Sequence, residues 1–317
     1  MSAATPEVAV VVSTRDRAAR LAALLESLGG QTIDRDRFQV VIVDDGSRDG
    51  TAALLERAAA SAELPLKVVT SDKSGRQGAG RNRGWRVADA RLIAFTDDDC
   101  EATPEWLERG LRTAAEHPGA IVQGRTVPHP GELDRQGPFS RTMDVSRLGP
   151  YYQTCNIFYP RALLERLGGF DERLPPGEDA DLAWRAFAQG ARAVFAPDAV
   201  VFHAVQNLGV RGHLRVARRW TDAMGIFRHC GLRDEVLWGR IFWKRQHGLL
   251  VEAALGALLA LRFRPALALA LPYARHLRHR CRETRAPLAL APYFAVHDVL
   301  ETYTAVRGAF RHRVLVI

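Results

Sequence analysis

The sequence predicts an α/β fold with a mostly parallel sheet. Strand-length apolar runs alternate with stretches of helical period, and the early runs end in polar or acidic residues. Strands alternating with helices imply right-handed βαβ crossovers, which leave neighbouring strands parallel. Val8-Ala9-Val10-Val11-Val12-Ser13-Thr14 is a β-branched run followed by polar Arg15-Asp16-Arg17, then a helical pattern from Ala18 to Leu28. Gln39-Val40-Val41-Ile42-Val43 is a second strand, ending in Asp44-Asp45-Gly46-Ser47, and Asp49-Gly50-Thr51 leads into a helix to about Ala60. Leu66-Lys67-Val68-Val69-Thr70 is a third. The glycine-rich segment from Ser74 to Gly84 continues as a helix to Ala90, and Arg91-Leu92-Ile93-Ala94-Phe95 completes the series.

At 317 residues, with 47% apolar and 25% charged side chains, the chain can bury an ample core in one large domain, or in one domain plus an appendage. Cys100, Cys155, Cys230 and Cys281 are scattered without CxxC or metal-finger spacing, so reduced thiols in a cytoplasmic compartment are expected. The stretch Met1 to Glu7 lacks a basic region and a long apolar run, so no signal peptide is expected. The net charge of +8 is uneven: residues 203–317 carry +12 and residues 1–202 carry −4. Basic surface of this kind points to nucleic acid, anionic lipid or a phosphorylated ligand.

The strand through Phe95 ends in Thr96 and then three carboxylates, Asp97-Asp98-Asp99. Ligands of parallel α/β sheets bind at the C-terminal edge of the strands. Three adjacent anions repel one another unless a cation neutralises them. Oxygen ligands on a short segment suit Mg²⁺ or Mn²⁺, with substrate phosphates completing the shell. A helix N-cap is the plainer alternative, but a cap needs one carboxylate and should lie closer to Pro104, where a helix opens. Carboxylates at the other strand ends, Asp16 and Asp44-Asp45, have the chemistry to accept hydrogen bonds from a base or ribose, and Arg81 to pair with a diphosphate. No GxxxxGK[ST] loop exists, and no GxGxxG follows the first strand.

Val10 to Asp16, Val43-Asp44-Asp45-Gly46-Ser47, Gly80-Arg81-Asn82-Arg83-Gly84 and Phe95-Thr96-Asp97-Asp98-Asp99 stand in an order and spacing that resembles the family 2 glycosyltransferases. The resemblance covers about residues 7–205. It implies a GT-A fold and inverting transfer. It also implies that Thr14, Asp16 and Asp45 hold the nucleoside, with Asp98 in the donor-binding set, and that Arg81 faces the diphosphate. Asp97 and Asp99 would hold the metal, Asp99 more directly, and in some relatives a histidine near the position of His203 adds a ligand.

Later blocks extend the likeness. Pro128 to Pro150 has no clear period and reads as a loop able to shape an acceptor pocket. Tyr151 to Asn156 leads to a helix beginning near Pro160; the family often has a small residue at the place of Cys155, which reads as a small buried side chain. Glu178-Asp179, opening a helix after Pro176-Gly177, resembles the family's acceptor-activating acidic motif. Asp179 is expected to be the base, with Glu178 and Asp181 supporting, although acids at a helix N-terminus also complement its dipole. Ala193 to Ala196 and Val200 to Phe202 read as two short strands, the second ending in His203.

Beyond residue 205 the likeness thins. Arg211, Arg215, Arg218, Arg219 and Arg228 with Leu214, Trp220, Met224 and Phe227 suggest a basic amphipathic helix. Gly248 to Ala274 is the most apolar region, but Glu252, Arg262, Arg264 and Pro265 divide it. A spanning helix needs about 20 apolar residues. Lying in the membrane interface therefore fits better than crossing it, and a helical hairpin packed on the catalytic domain or on a second subunit is the soluble alternative.

The expectation is thus a catalytic domain over residues 1–205, with its nucleotide-sugar half to about 125 and its acceptor half beyond, and a helical basic region over 206–317. It would be a metal-dependent inverting glycosyltransferase using Mn²⁺ or Mg²⁺ and a UDP-sugar by default, with GDP- and dTDP-sugars open. Its acceptor would be a glycan or lipid-linked intermediate of the cell envelope, its place the inner face of the membrane, and nucleic acid is not expected as a partner. Two rivals are a nucleotidyltransferase, which would carry a glycine-rich loop after the first strand, and a non-catalytic nucleotide- or nucleic-acid-binding module.

Overall fold

A computed structural model describes residues 5–71, 76–174 and 176–317. Met1 to Ala4, and Ser74 and Gly75 of the glycine-rich segment, lie outside the described residues. The chain divides into two compact units, residues 1–133 with 142–204 and residues 134–141 with 205–317.

The first unit begins with β1 (Val8–Thr14), α1 (Ala18–Gly29), β2 (Phe38–Asp44), α2 (Thr51–Ser61), β3 (Leu66–Thr70), α3 (Gln77–Val87) and β4 (Leu92–Thr96). β5 (Cys100–Ala102), α4 (Trp106–Glu116) and β6 (Ile121–Pro128) follow. A 3-10 turn (Pro130–Arg135) and the short β7 (Ser140–Arg141) come next, then β8 (Asn156–Pro160), α5 (Arg161–Leu167), α6 (Glu178–Ala188) and β9 (Ala193–His203). Eight strands form one sheet in the order β3-β2-β1-β4-β8-β6-β9-β5. Its first four strands are mutually parallel, as the βαβ alternation requires. Side chains alternate across each strand. Val8, Val10 and Val12 enter a core with Leu21 and Leu24 of α1, while Ala9 and Val11 enter another with Trp85 of α3.

Two strand readings need correction. The helix expected near Pro160 is preceded by β8, which lies antiparallel to both β4 and β6. Its Asn-Ile-Phe-Tyr-Pro run is short and buried on both faces, so it shows no alternation to read. The two short strands expected at 193–202 are one strand, β9, parallel to β6. Gly124 lies opposite Ala196 and Arg125 opposite Val200, so Pro197-Asp198-Ala199 form an irregularity within it. The 3-10 turn and β7 occupy part of the segment read as a loop, and residues 134–141 belong to the second unit.

Helix α3 sits tightly on the sheet through two glycines one turn apart. A Cβ on Gly80 would lie 2.1 Å from Ser13 Oγ, and one on Gly84 would lie 2.4 Å from Val11 Cγ1 and 3.2 Å from Val43 Cγ2. Gly84→Ala should therefore cost about 1–3 kcal/mol from overpacking, despite alanine's better helix propensity. A lower midpoint in thermal unfolding checks this; an unchanged midpoint would mean that α3 shifts freely over β1.

The second unit pairs β7 with β10 (Gln206–Asn207) and is otherwise helical. It comprises α7 (Gly209–Ala223), a 3-10 turn (Met224–Arg228), α8 (Cys230–Val236), α9 (Arg245–Leu259), a 3-10 turn (Arg264–Ala270), α10 (Leu271–Glu283) and α11 (Ala291–His312). Inside it, Asp298 accepts hydrogen bonds from Arg280 at 2.6 Å and Tyr273 at 3.0 Å, and Glu301 accepts one from Lys244 at 2.7 Å. Two buried carboxylates thus meet two cations. Among the described residues, no helix is long and apolar enough to cross a membrane.

Candidate active site

The parallel half of the sheet brings the ends of β1, β2 and β4 to one edge. Thr14, the last residue of β1, is buried, and its hydroxyl donates to Asp98 Oδ2 at 2.8 Å. Two residues on, Asp16 is exposed with φ of 52°, a left-handed conformation that aspartate tolerates. Its N–H donates to Ser47 Oγ at 2.9 Å and its Oδ1 accepts from the Arg48 N–H at 2.6 Å, which ties the β1 end to the β2 end. Asp45 is buried against Arg83, whose Nη1 lies 2.9 Å from Oδ1.

The three carboxylates after β4 have different surroundings. Asp97 Oδ1 accepts from Arg81, Asp98 accepts from Thr14, and Asp99 Oδ2 lies 3.2 Å from Arg17 Nη1. Burial pushes the Asp98 carboxyl up to about 6; the neighbouring Asp99 and Asp97 add to this, while the Thr14 hydrogen bond and Arg17 oppose it. His203, at the end of β9, places Nε2 3.6 Å from Asp99 Oδ1. Its Nδ1 is 2.9 Å from the Ala204 carbonyl, which can only accept, so Nδ1 carries the hydrogen. In the neutral ring, Nε2 then presents a lone pair toward a carboxylate, an arrangement that a cation between them stabilises. A histidine whose other nitrogen donates to a carbonyl is the usual form of a metal-binding imidazole. Ligand atoms held about 2.1 Å from one ion stand at most roughly 4.2 Å apart, so the Asp99–His203 spacing fits Mg²⁺ or Mn²⁺. Cys100 lies close to both, but burial raises its thiol pKa, and hard cations favour oxygen.

Arg81 joins this edge to α6. Its Nη2 donates to Asp97 Oδ1 and its Nη1 to Glu178 Oε1, both at 2.8 Å, and it is nearly fully buried. Burial opposes its charge, but Asp97, Glu178 and Asp179 outweigh burial and raise its pKa. The guanidinium expected to face a diphosphate is thus engaged by two carboxylates of the protein. Of the acids opening α6, Glu178 is paired with Arg81 and Asp181 with Arg185 at 2.7 Å. Asp179 makes no direct ion pair among the described residues; it accepts one hydrogen bond, from the Ala180 N–H at 2.9 Å. Burial and the adjacent Glu178 raise its carboxyl to about 7, with Arg81 opposing. A carboxylate poised near neutrality and left without a partner has the properties of a general base.

Several residues that position the site were not singled out from sequence. Arg17 reaches Asp99, and Arg83 reaches Asp45. Asn82 clamps α3 to the segment before α6, donating to Phe170 O and Glu172 Oε1 and accepting from the Phe170 and Trp85 N–H groups. All but Arg17 sit in the Gly80 to Gly84 motif, whose alternating basic and small residues were the available signal. Asn156 is fully buried: it accepts from Trp106 Nε1 and donates to the Arg125 and Ala199 carbonyls, which makes it a core bracket. Burial pushes the Cys155 thiol up to about 12, and its sulfur lies 3.5 Å from the Thr126 hydroxyl.

The sheet order and the acidic edge define a GT-A glycosyltransferase. Residues 9–170 match the model of glycosyl transferase family 2, and residues 92–295 match that of glycosyl transferase family group 2. The first match spans just over half of the chain, which belongs to glycosyl transferase family 2. It is 27% identical over 215 residues to glycosyltransferase AglE of Haloferax volcanii, covering 66% of this chain and 70% of that protein. It is 31% identical over 222 residues to validoxylamine A glucosyltransferase of Streptomyces hygroscopicus subsp. jinggangensis, covering 58% of this chain and about half of the relative, 52%. Among solved structures it resembles the mannosyltransferase PcManGT from Pyrobaculum calidifontis, in complex with GDP-Man and Mn²⁺, at a TM-score of 0.60 and 21% identity; 98% of this chain and 88% of that chain are covered. It also resembles S. aureus TarS 1-349 in complex with UDP, at 0.53 and 22%, over 97% and 92% of the two chains. These structural likenesses show the fold. With the family match in place, the nucleotidyltransferase and binding-module readings give way.

Proposed function

We propose that the chain is an inverting glycosyltransferase that takes a sugar from a nucleoside-diphosphate sugar, a UDP-sugar first, and passes it to a hydroxyl of a glycan or lipid-linked acceptor in cell-envelope biosynthesis. The observation that carries this reading is the contrast at the start of α6, where Glu178 and Asp181 are neutralised by arginines and Asp179 is not. Asp179 takes the proton of the acceptor hydroxyl, the acceptor oxygen forms the bond to the anomeric carbon, and the electron pair of the broken bond leaves on the diphosphate. Thr14, Asp16 and Asp45 line the edge on which the nucleoside would lie. Arg81 orients the β4 end and α6 relative to one another, so that the donor's phosphates and the base stand on opposite sides of the sugar. Asp97, Asp99 and His203 would hold Mn²⁺ or Mg²⁺, which supplies positive charge to the departing diphosphate. The metal and nucleotide named with PcManGT and TarS support the class of donor and leave GDP- and UDP-sugars both in play.

Calorimetric titration of UDP, GDP and dTDP with and without Mn²⁺ tests the donor site. One nucleotide should bind, and only with the metal. Asp99→Ala should weaken that binding by more than the roughly 10–100-fold that outer-shell substitutions cost. Binding that ignores both Mn²⁺ and Asp99 would remove the metal from the proposal.

A further inference from the structure

The second unit carries an apolar surface that its own fold leaves uncovered. Helix α9 and the 3-10 turn pack back against each other so closely that a Cβ on Gly256 would lie 2.7 Å from both Ala266 O and Leu269 Cβ. The resulting hairpin turns outward its Leu255, Leu258, Leu261, Phe263, Leu267 and Leu271; Leu261 is 77% exposed and Phe263 64%. Isolated exposed leucines are ordinary, but an unbroken run of this size on one hairpin marks a docking surface.

Charge selects the occupant. From Ala253 to Arg282 the chain has no acidic residue and six arginines. Arg280 is held by Asp298. The other five, Arg262, Arg264, Arg275, Arg278 and Arg282, are exposed and make no ion pair among the described residues. At the turn, Leu261-Arg262-Phe263-Arg264 alternates apolar and basic side chains. A second copy docked face to face would bring like charges together. An anionic lipid surface instead takes up the apolar side chains and neutralises the guanidiniums, whose long stems reach back to the headgroups.

We propose that the hairpin of α9, the 3-10 turn and α10 docks the protein on an anionic membrane surface, with Leu261 and Phe263 seated below the headgroups and the α10 arginines lying on them. This does not depend on the reading of the active site. The lipid surface is also a second source of acceptor, since a lipid-linked sugar would be presented where the protein binds.

The test is co-sedimentation of the full chain with vesicles of phosphatidylcholine alone and of phosphatidylcholine with phosphatidylglycerol. The protein should pellet with the anionic vesicles at low salt, and less as salt rises. Leu261→Glu combined with Phe263→Glu should lower the partition at least about tenfold. Should that variant fold poorly, Arg262→Ser with Arg264→Ser keeps the apolar tip and should weaken binding to anionic vesicles selectively. Equal recovery in the supernatant with and without vesicles would overturn the proposal. So would a concentration-dependent dimer in gel filtration that the Leu261/Phe263 variant makes monomeric, since a second copy would then be the occupant.

Discussion

Asp179→Asn should lower kcat by about 10²–10⁴-fold while leaving nucleotide affinity unchanged. The substitution keeps the volume and the bond from the Ala180 N–H but removes the one carboxylate at the start of α6 without a cation. The pH profile separates a base from a structural acid. Burial and Glu178 hold the Asp179 carboxyl near 7, and a base works only when ionised. Wild-type kcat should therefore fall with a limb of about tenfold per pH unit below about 7, and the residual activity of Asp179→Asn should lack that limb. The measurement is initial rates with the donor that titration identifies, together with that nucleotide's affinity for the variant. A variant keeping more than about a tenth of wild-type kcat would place the base elsewhere.

Arg81→Met should produce the largest loss of stability. The guanidinium lies between Asp97 and Glu178, and its removal leaves Glu178 buried and uncompensated. Breaking a buried pair from one side costs about 3–5 kcal/mol, because the surviving charge has lost both its partner and its water. The lower unfolding midpoint should be partly restored in Arg81→Met/Glu178→Gln, where no buried charge is stranded. If the double variant were as unstable as the sum of the singles, the arginine would act through packing, including its approach to the Phe170 ring, rather than through charge.

The order of the first four strands was legible because local pattern dictates it: β-branched runs, helical periods between them, and polar residues where each strand leaves the sheet. The acidic edge was legible for the same reason, since Asp97, Asp98 and Asp99 are adjacent in sequence. The pairing that arranges the edge was not. Arg81 and Glu178 are far apart in the chain, and nothing local distinguishes an arginine that meets a ligand from one that meets a carboxylate. Glu178, Asp179 and Asp181 look alike as helix-opening acids; Arg81 and Arg185 set them apart. β8 escaped because a short run buried on both faces has no period. Asn156, buried at its start, reads from sequence like any polar residue before a helix.

The antiparallel β8 also has a consequence for how the protein is made. Strand β4, Leu-Ile-Ala-Phe-Thr, has β1 on one side from the outset, but its other edge pairs with residues 156–160. Between the synthesis of Thr96 and of Pro160 that apolar edge has no native neighbour. At bacterial or eukaryotic elongation speeds the interval is roughly 3–13 s. Unpaired apolar edges are where chains cross-associate, so this protein passes through its most adhesive state on the ribosome, before the base-bearing helix exists.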